Sequence, residues 1–217
     1  MAASATSPPT VSREWYREHV ADDLSLLLAW REGDKASGER LFDRHFAALT
    51  RFFRNKASEG IDDLVQTTML ALLESAGRYR GEGSFRSFLF GIAYNVLRDH
   101  IRARARSFDP ATDSVCDSAP GPSQAYAERA EQRLLLEGLR RIPLEHQTLL
   151  ELYYWEAMTA ADIAQVLGVP VGTIRTRIRR AKTLVEAAMK SVATNVEVLK
   201  STTTDFETWA RSVRALS

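Results

Sequence analysis

Residues 159–182 read TAADIAQVLGVPVGTIRTRIRRAK and contain the most specific structural pattern in the chain. Thr159 can cap a short helix with Asp162 at the capping-box position, and Gly168 can end that helix. A second helix begins at about Val171, and its apolar residues recur at steps of three and four. Two helices joined by a short turn predict a helix-turn-helix, in which the second helix enters the major groove of DNA.

The second helix of this pattern is strongly basic. Residues 171–190 contain six arginines and lysines against one acid, Glu186. About half of a helix faces its core, so the polar side is available to a partner, and arginine can address guanine edges in a bidentate manner. The residues left for DNA are Arg175, Thr176, Arg179 and Arg180, while the flanking basic residues suit phosphates. A basic helical hairpin that binds nothing is the alternative.

Another basic helix is predicted upstream, over Ser84–Arg106, SFRSFLFGIAYNVLRDHIRARAR. Apolar residues at steps of four, three and four predict its buried face: Phe85, Leu89, Ile92 and Val96. A polar stripe at the same steps becomes basic toward the C-terminus: Ser87, Gly91, Asn95, Arg98, Arg102 and Arg106. Four aromatic residues precede or flank it: Tyr79, Phe88, Phe90 and Tyr94. Rings among arginines suit base stacking and phosphate neutralisation. A solvated surface helix explains the arginines equally well.

Amphipathic spacing predicts further helices over about 22–31, 35–55, 61–76, 125–141 and 143–155. The aromatic residues of the second helix are expected in the core, and so are His45 and His19. Ser84 is expected to cap the helix over 84–106. In the third helix, Asp62, Asp63, Gln66 and Thr67 lie away from the apolar surface and are available to a partner.

The sequence predicts an all-α fold with two small helical domains joined by a flexible linker. Residues 107–124 contain three prolines, three aspartates and no basic residue, which is typical of a linker. The predicted divisions are a loose segment at 1–20, a first domain at 21–106, the linker at 107–124, a second domain at 125–190 and an extension at 191–217. The extension contains an apolar stripe without an assigned role: Phe206, Trp209, Val213 and Leu216.

Composition narrows the function classes. The 217 residues are 45% hydrophobic and 26% charged with a net charge of +1, which is ordinary for a soluble globular protein. The single cysteine, Cys116, excludes an internal disulfide, and four scattered histidines form no metal-ligand motif. No signal sequence or membrane-spanning run is evident. We therefore expect a cytoplasmic protein without membrane insertion, metal or cofactor.

Four stretches together resemble the extracytoplasmic-function sigma factors of bacteria, and they span most of residues 22–190. The stretches are DDLVQTTMLALL (62–73), YRGEGSFRSFLFGIAYNVLRDHIRARAR (79–106), IPLEHQTLLELYYWEAMTAADIAQVLG (142–168) and VPVGTIRTRIRRAK (169–182). The resemblance implies that the first domain binds core RNA polymerase and opens the −10 promoter element, while the second reads the −35 element. The chain would be a specificity subunit without a catalytic site of its own.

The resemblance assigns roles to individual residues. It implies polymerase binding by Asp62, Asp63 and Gln66. It implies −10 DNA binding by Tyr79, Arg80, Ser84, Phe88, Asn95, Arg98 and Arg102, with Asn95 contacting a flipped base that the loop at 79–84 encloses. It implies −35 DNA binding by Thr173, Arg175, Thr176, Arg177, Arg179 and Arg180. The chain departs from the family at Phe88, where tryptophan is common, at Thr67, where an acid is common, and at Met158, where glycine is common.

The free energies of base stacking imply that the first domain opens DNA only together with polymerase. Breaking duplex stacking costs about 1.4 kcal/mol per step, whereas stacking one base on an aromatic side chain returns about 1–3 kcal/mol. The segment 79–106 could therefore hold one or two flipped bases, which is far less than a transcription bubble.

Three other functions stay open at this stage. The second domain alone would permit a helix-turn-helix repressor or activator, which leaves 62–73 and 84–106 without a role. A nucleic-acid enzyme is disfavoured because no carboxylate-metal set or paired nucleophile is evident. The extension at 191–217 suggests regulation built into the chain. The sequence leaves open whether a separate anti-sigma factor is a partner and whether the acidic linker follows the RNA path of polymerase.

Overall fold

The computed structural model describes residues 23–57, 59–79, 83–107 and 130–193. Within these ranges the chain forms eight α-helices and one 3₁₀ turn, and it contains no strand, in agreement with the all-α prediction. The helices are α1 (23–31), α2 (Lys35–Arg54), α3 (Ile61–Ser75), α4 (Phe85–Ser107), α5 (Ala130–Arg140), α6 (Leu144–Tyr154), α7 (Ala160–Leu167) and α8 (Val171–Val192). The 3₁₀ turn covers Ala76–Arg78.

Helices α1 to α4 form the first group. Asp34 caps α2, because its carboxylate accepts hydrogen bonds from the Ala36 amide at 3.1 Å and the Ser37 hydroxyl at 2.6 Å. Helix α3 packs against both α2 and α4. Buried Asp23 joins α1 to α2 through His45, whose Nε2 lies 3.0 Å from the carboxylate. The core of this group is formed by large apolar residues that include Leu27, Leu41, Leu49, Phe53, Phe85 and Phe90.

Helices α5 to α8 form the second group, with α8 packed against the other three. Its core is formed by residues that include Leu135, Leu149, Leu152, Ile163 and Ile174. At Gly138 of α5 a Cβ atom would lie 2.6 Å from Cγ of Met189, so α5 and α8 approach closely because this position lacks a side chain.

The two groups contact each other through α4 and α7. Across the residues that the structure describes, no helix is long and apolar enough to cross a membrane. In the same ranges no group of three histidine, cysteine or acidic side chains is arranged to hold a metal ion.

The predicted helix bounds are confirmed to within about two residues wherever the chain is described. His45 is buried as expected, but two aromatic residues of α2 are not in the core. Phe42 and Phe46 remain 36% and 38% exposed, with their ring centroids 5.1 Å apart. Outside the described residues lie His19, Arg80, the segment at 1–20, most of the linker and the apolar stripe of the extension.

Candidate nucleic-acid interface

Helix α7 and the turn after it orient α8. The Thr159 hydroxyl accepts from the Asp162 amide at 3.2 Å, and the Asp162 carboxylate accepts from the Thr159 amide at 3.2 Å. Gly168 ends α7 in the left-handed region, at a φ of 66°. Both features agree with the predicted helix-turn-helix.

One face of α8 is fully buried and the opposite face is open. Ile174, Ala181, Val185 and Met189 are each 0% exposed. The outward side carries the four residues predicted to face DNA, and all of them are exposed: Arg175, Thr176, Arg179 and Arg180. Their exposure agrees with the sequence-based placement, and their contact with DNA stays a prediction.

The other two predicted −35 residues make contacts within the protein. Thr173 is exposed, but its hydroxyl donates to the Pro170 carbonyl at 2.7 Å and tightens the first turn of α8. Arg177 is half-buried, and its Nη1 pairs with Oε1 of Glu145 on α6. Arg177 is therefore held by α6 in this conformation.

His146 of α6 lies close to the basic side of α8. Burial lowers its pKa, and the positive charge of Arg180 lowers that pKa further. The ring is consequently uncharged at neutral pH and adds no repulsion to the arginines of α8.

Helix α4 presents its predicted DNA side mainly along its C-terminal half. Asn95 is exposed, and Arg102 is exposed beside Asp99, with 3.4 Å between Nη1 and Oδ1. Arg98 is half-buried and lies over the Tyr94 ring at 5.7 Å from its centroid. This side of α4 combines an amide that can bond a base with two cations that suit phosphates.

Two aromatic residues flank the loop that precedes α4. The rings of Tyr79 and Phe88 lie 5.0 Å apart at their centroids, and the Tyr79 hydroxyl donates to the Gly83 carbonyl at 3.2 Å. The Ser84 hydroxyl accepts from the Ser87 amide at 3.1 Å, which agrees with its predicted role as a cap. Burial raises the pKa of Tyr79, and the nearby Asp162 charge adds to that rise. Tyr79 therefore stays a neutral donor.

Three expectations for α4 were wrong. Ser87 was assigned to the polar stripe but is 1% exposed, because α7 covers it. Phe90 and Tyr94 were expected beside the DNA-facing side but are 0% and 9% exposed and belong to the core. Helix α4 is buried on more than one side, so a single periodic stripe does not describe it. Of the four aromatic candidates, only Tyr79 and Phe88 are half-buried and retain accessible surface.

Helix α3 separates a buried side from an exposed polar side. Leu64, Thr68 and Leu72 are buried. The residues predicted to bind polymerase, Asp62, Asp63 and Gln66, are all exposed. Leu70 on the same helix is 52% exposed. Side chains of both kinds are therefore available to a protein partner.

Sequence reasoning missed the polar contact between the two groups of helices. This interdomain seam includes five side-chain contacts among the described residues: Lys56 with Glu151, Arg51 with Glu156, Arg86 with Glu156, Ser84 with Asp162, and Ser87 with Gln165. Glu151 and Glu156 are 2% and 4% exposed. The sequence contains one indication of this contact, which is the acidic residue Glu151 within an apolar run. A carboxylate at a core position requires a partner.

Comparisons with known proteins agree with this architecture. The family model described as Sigma-70 region 2 matches residues 41–107, and the model for Sigma-70 region 4 matches residues 132–185. The ECF RNA polymerase sigma factor SigM of Mycobacterium tuberculosis is 31% identical over 83% of this chain and 91% of its own length. The ECF RNA polymerase sigma-E factor of Haemophilus influenzae is 26% identical over 76% of this chain and 93% of its own length.

Two solved structures share the fold. CnrH in complex with the cytosolic domain of CnrY aligns with a TM-score of 0.57 at 22% identity, over 79% of this chain and 99% of CnrH. The sigma factor RpoE from Bartonella quintana, in complex with the anti-sigma factor NepR, aligns with a TM-score of 0.58 at 20% identity. That alignment covers 71% of this chain and 98% of RpoE.

Proposed function

Because the chain belongs to the extracytoplasmic-function sigma factors of RNA polymerase, we propose that it directs core polymerase to promoters with two elements. In this proposal α8 reads the −35 element, and α4 with the loop before it opens the −10 element. The chain has the two regions with which sigma factors bind core polymerase and promoter DNA.

The observation that supports −35 reading most strongly is the division of α8 into two sides. Four core residues at 0% exposure fix the rotation of the helix, so the exposed residues on the opposite side point outward together. Arg175, Thr176, Arg179 and Arg180 form that outward row. We assign base edges to this row and phosphates to the flanking cations. Arg177 joins the DNA contacts only if it leaves Glu145.

Opening of the −10 element is assigned to Asn95 and the ring pair Tyr79–Phe88. Asn95 is exposed and can bond the edge of a flipped base, and the adjacent rings offer a stacking surface at the loop. Arg98 and Arg102 would hold the phosphate backbone. Arg80 belongs to the same proposal and lies outside the described residues.

Polymerase binding is assigned to the exposed side of α3. Asp62, Asp63 and Gln66 supply polar contacts, and Leu70 supplies apolar surface beside them. Charged residues at the rim of such an interface tune the rate and specificity of association, while a central apolar residue contributes affinity.

Four further assignments complete the proposal. The chain acts without catalysis of its own, and it works in the cytoplasm with the polymerase. Its domain boundaries follow the divisions at 21–106 and 125–190. An anti-sigma factor is a candidate partner, because RpoE from Bartonella quintana was solved with one.

Co-purification with core RNA polymerase tests the proposal. The full chain should bind core enzyme, and Asp63→Ala and Gln66→Ala should weaken binding, whereas Glu137→Ala on α5 serves as an exposed control. Tight and specific DNA binding that is indifferent to polymerase would instead identify a stand-alone regulator. Magnesium-dependent nuclease activity that survives purification would identify an enzyme.

A further inference from the structure

The N-terminal end of α8 carries an apolar side chain that packing does not explain. Val171 precedes Ile174 by three residues, a spacing that places both on the buried side of a helix. Ile174 is 0% exposed, whereas Val171 is 53% exposed, the largest fraction among the large apolar residues that the structure describes. A single exposed valine is ordinary on a protein surface. What distinguishes Val171 is its position as the first residue of the helix proposed to enter DNA.

The first turn of α8 is fixed by hydrogen bonds and carries no charge. Pro170 precedes the helix in an extended conformation, and its carbonyl accepts hydrogen bonds from the Thr173 amide at 3.0 Å and the Thr173 hydroxyl at 2.7 Å. The Thr173 hydroxyl is therefore committed to the backbone. A Cβ atom built on Gly172 would meet no heavy atom within 4 Å among the described residues. Val171 is thus the exposed apolar group of an open, uncharged turn.

Val171 lies one turn before Arg175 on the same side of α8. Residues four apart are neighbours on a helix surface and are separated by about one turn, or roughly 5.4 Å along the axis. Arg175 is exposed and is the first cation of the row assigned to base edges. Successive base pairs are about 3.4 Å apart, so Val171 reaches a base pair about one or two steps from the one that Arg175 addresses. In helix-turn-helix proteins the N-terminal residues of the second helix contact base edges.

The major groove offers one apolar group that suits a valine. Thymine presents its C5-methyl group there, whereas the edges of the other bases present hydrogen-bond donors and acceptors. Packing a valine on this methyl group removes apolar surface of both from water, which is favourable. Packing it on a polar edge would remove water from that edge without a replacement hydrogen bond, which is costly. An exposed valine in the groove would therefore favour thymine over the other bases.

We propose that Val171 is a specificity-determining residue of the −35 interface, which packs against the C5-methyl group of a thymine close to the base addressed by Arg175. This inference rests on the proposed function, because it requires α8 in the major groove. It adds an apolar contact that the cations of α8 do not supply, and it commits one position of the −35 element to an A·T pair.

Replacement of single methyl groups in the promoter tests the contact. The probe is a promoter fragment in which each thymine of the −35 element, on either strand, is replaced in turn by deoxyuridine, which lacks only the methyl group. Holoenzyme reconstituted from the full chain and cognate core RNA polymerase should bind one such fragment about fourfold more weakly, as expected for loss of one buried methyl group. The sensitive thymine should lie within about two base pairs of the position at which Arg175→Ala relaxes base preference.

Protein variants connect the methyl effect to this residue. Val171→Ala should bind the thymine and deoxyuridine fragments equally, because it shortens the side chain that touches the methyl group. Leu28→Ala removes a 42% exposed apolar residue from α1 and should retain the full methyl effect. Substitution of an exposed residue changes stability little, so Val171→Ala should remain folded, and thermal unfolding followed by circular dichroism verifies this.

The outcomes separate this contact from the proposed function. The contact is overturned by the absence of a methyl effect at every thymine, by a −35 element without thymine, or by a methyl effect that survives in Val171→Ala. In each of these cases the proposed function survives if base-pair substitutions in the −35 element still weaken binding. Binding that is indifferent to every such substitution would overturn the proposed −35 reading itself.

Discussion

Helices α4 and α8 have similar sequence patterns but different surroundings. Both are long, basic and apolar on one side, yet α8 keeps its polar side open at Arg175 and Arg179. The N-terminal half of α4 has its polar side covered, since Ser84 and Ser87 bond to α7. Periodic spacing therefore identifies the side of a helix that faces its own domain, and it carries no information about a second domain that covers the polar side.

The largest expected effect comes from breaking the buried pair on the covered side. Lys56→Met leaves the Glu151 carboxylate buried without its cation, which typically costs about 3–5 kcal/mol. Burial already raises the pKa of Glu151 and lowers the pKa of Lys56, so each charge depends on its partner. We expect the free energy of unfolding to fall by a comparable amount, as measured by urea denaturation.

The matched control replaces both charges at once. Lys56→Met combined with Glu151→Leu removes the unpaired charge and should recover most of the lost stability, because apolar replacement of a whole buried pair is often neutral. A Lys56→Met variant as stable as the parent chain would show that the pair contributes nothing to the seam.

A smaller effect is expected on the open side, at α8. Arg179→Ala should lower −35-dependent transcription by about 5- to 150-fold, since a bidentate contact to a base is worth about 1–3 kcal/mol. Arg177→Ala should cost less, because Arg177 is held by Glu145 rather than facing outward. Run-off transcription on promoters with an intact or scrambled −35 element measures both, and equal losses would contradict the division between the two arginines.

Substitutions in the C-terminal half of α4 should distinguish the proposed contact with a base from the proposed contact with a phosphate. Asn95→Ala should reduce promoter opening by roughly fivefold, as expected for loss of about 1 kcal/mol of hydrogen bonding, and only when the matching −10 base is present. Arg102→Gln should weaken binding at every sequence and reduce the salt dependence by about one phosphate contact. Permanganate footprinting and a salt titration distinguish the two, and sequence-independent loss in Asn95→Ala would remove its assigned role.

The smallest effect concerns pH at His146. Its pKa in the folded protein lies below the ordinary value of 6.5, so the unfolded chain binds a proton more readily as pH falls. The contribution of His146 to the free energy of unfolding is present above about pH 6.5, and it is lost as the pH falls through the pKa of His146 in the folded protein. Urea unfolding at pH 7.5 and 5.5 should show a smaller difference for His146→Gln than for the parent chain. An identical difference in the variant and in the parent chain would contradict a contribution of His146 to the pH dependence of stability.

Most of the fold could be predicted because the local sequence of each helix indicates where the helix begins and ends and which of its sides is mainly buried. The Thr159–Asp162 capping box and Gly168 located α7, and apolar steps of three and four fixed the rotation of α8. The exposure of Asp62, Asp63 and Gln66 followed from the same reasoning on α3.

The rest could not be predicted because it depends on contacts between helices. Phe42 and Phe46 have core spacing, but no described helix covers that side of α2, so both remain partly exposed. Phe90 and Tyr94 are aromatic residues near arginines, a pattern that fits stacking on bases and packing in a core equally well. The seam requires Lys56 and Glu151, which are 95 residues apart, to meet, and no local pattern records such a pairing.

Transcription by cognate core RNA polymerase on genomic fragments, with and without the purified chain, tests the central claim most directly. The chain should create new start sites that share one −35 and one −10 sequence, and Arg179→Ala should remove them while Glu137→Ala leaves them intact. An unchanged set of start sites, in the presence of folded protein and active core enzyme, would contradict the assignment of this chain as a promoter-specificity subunit.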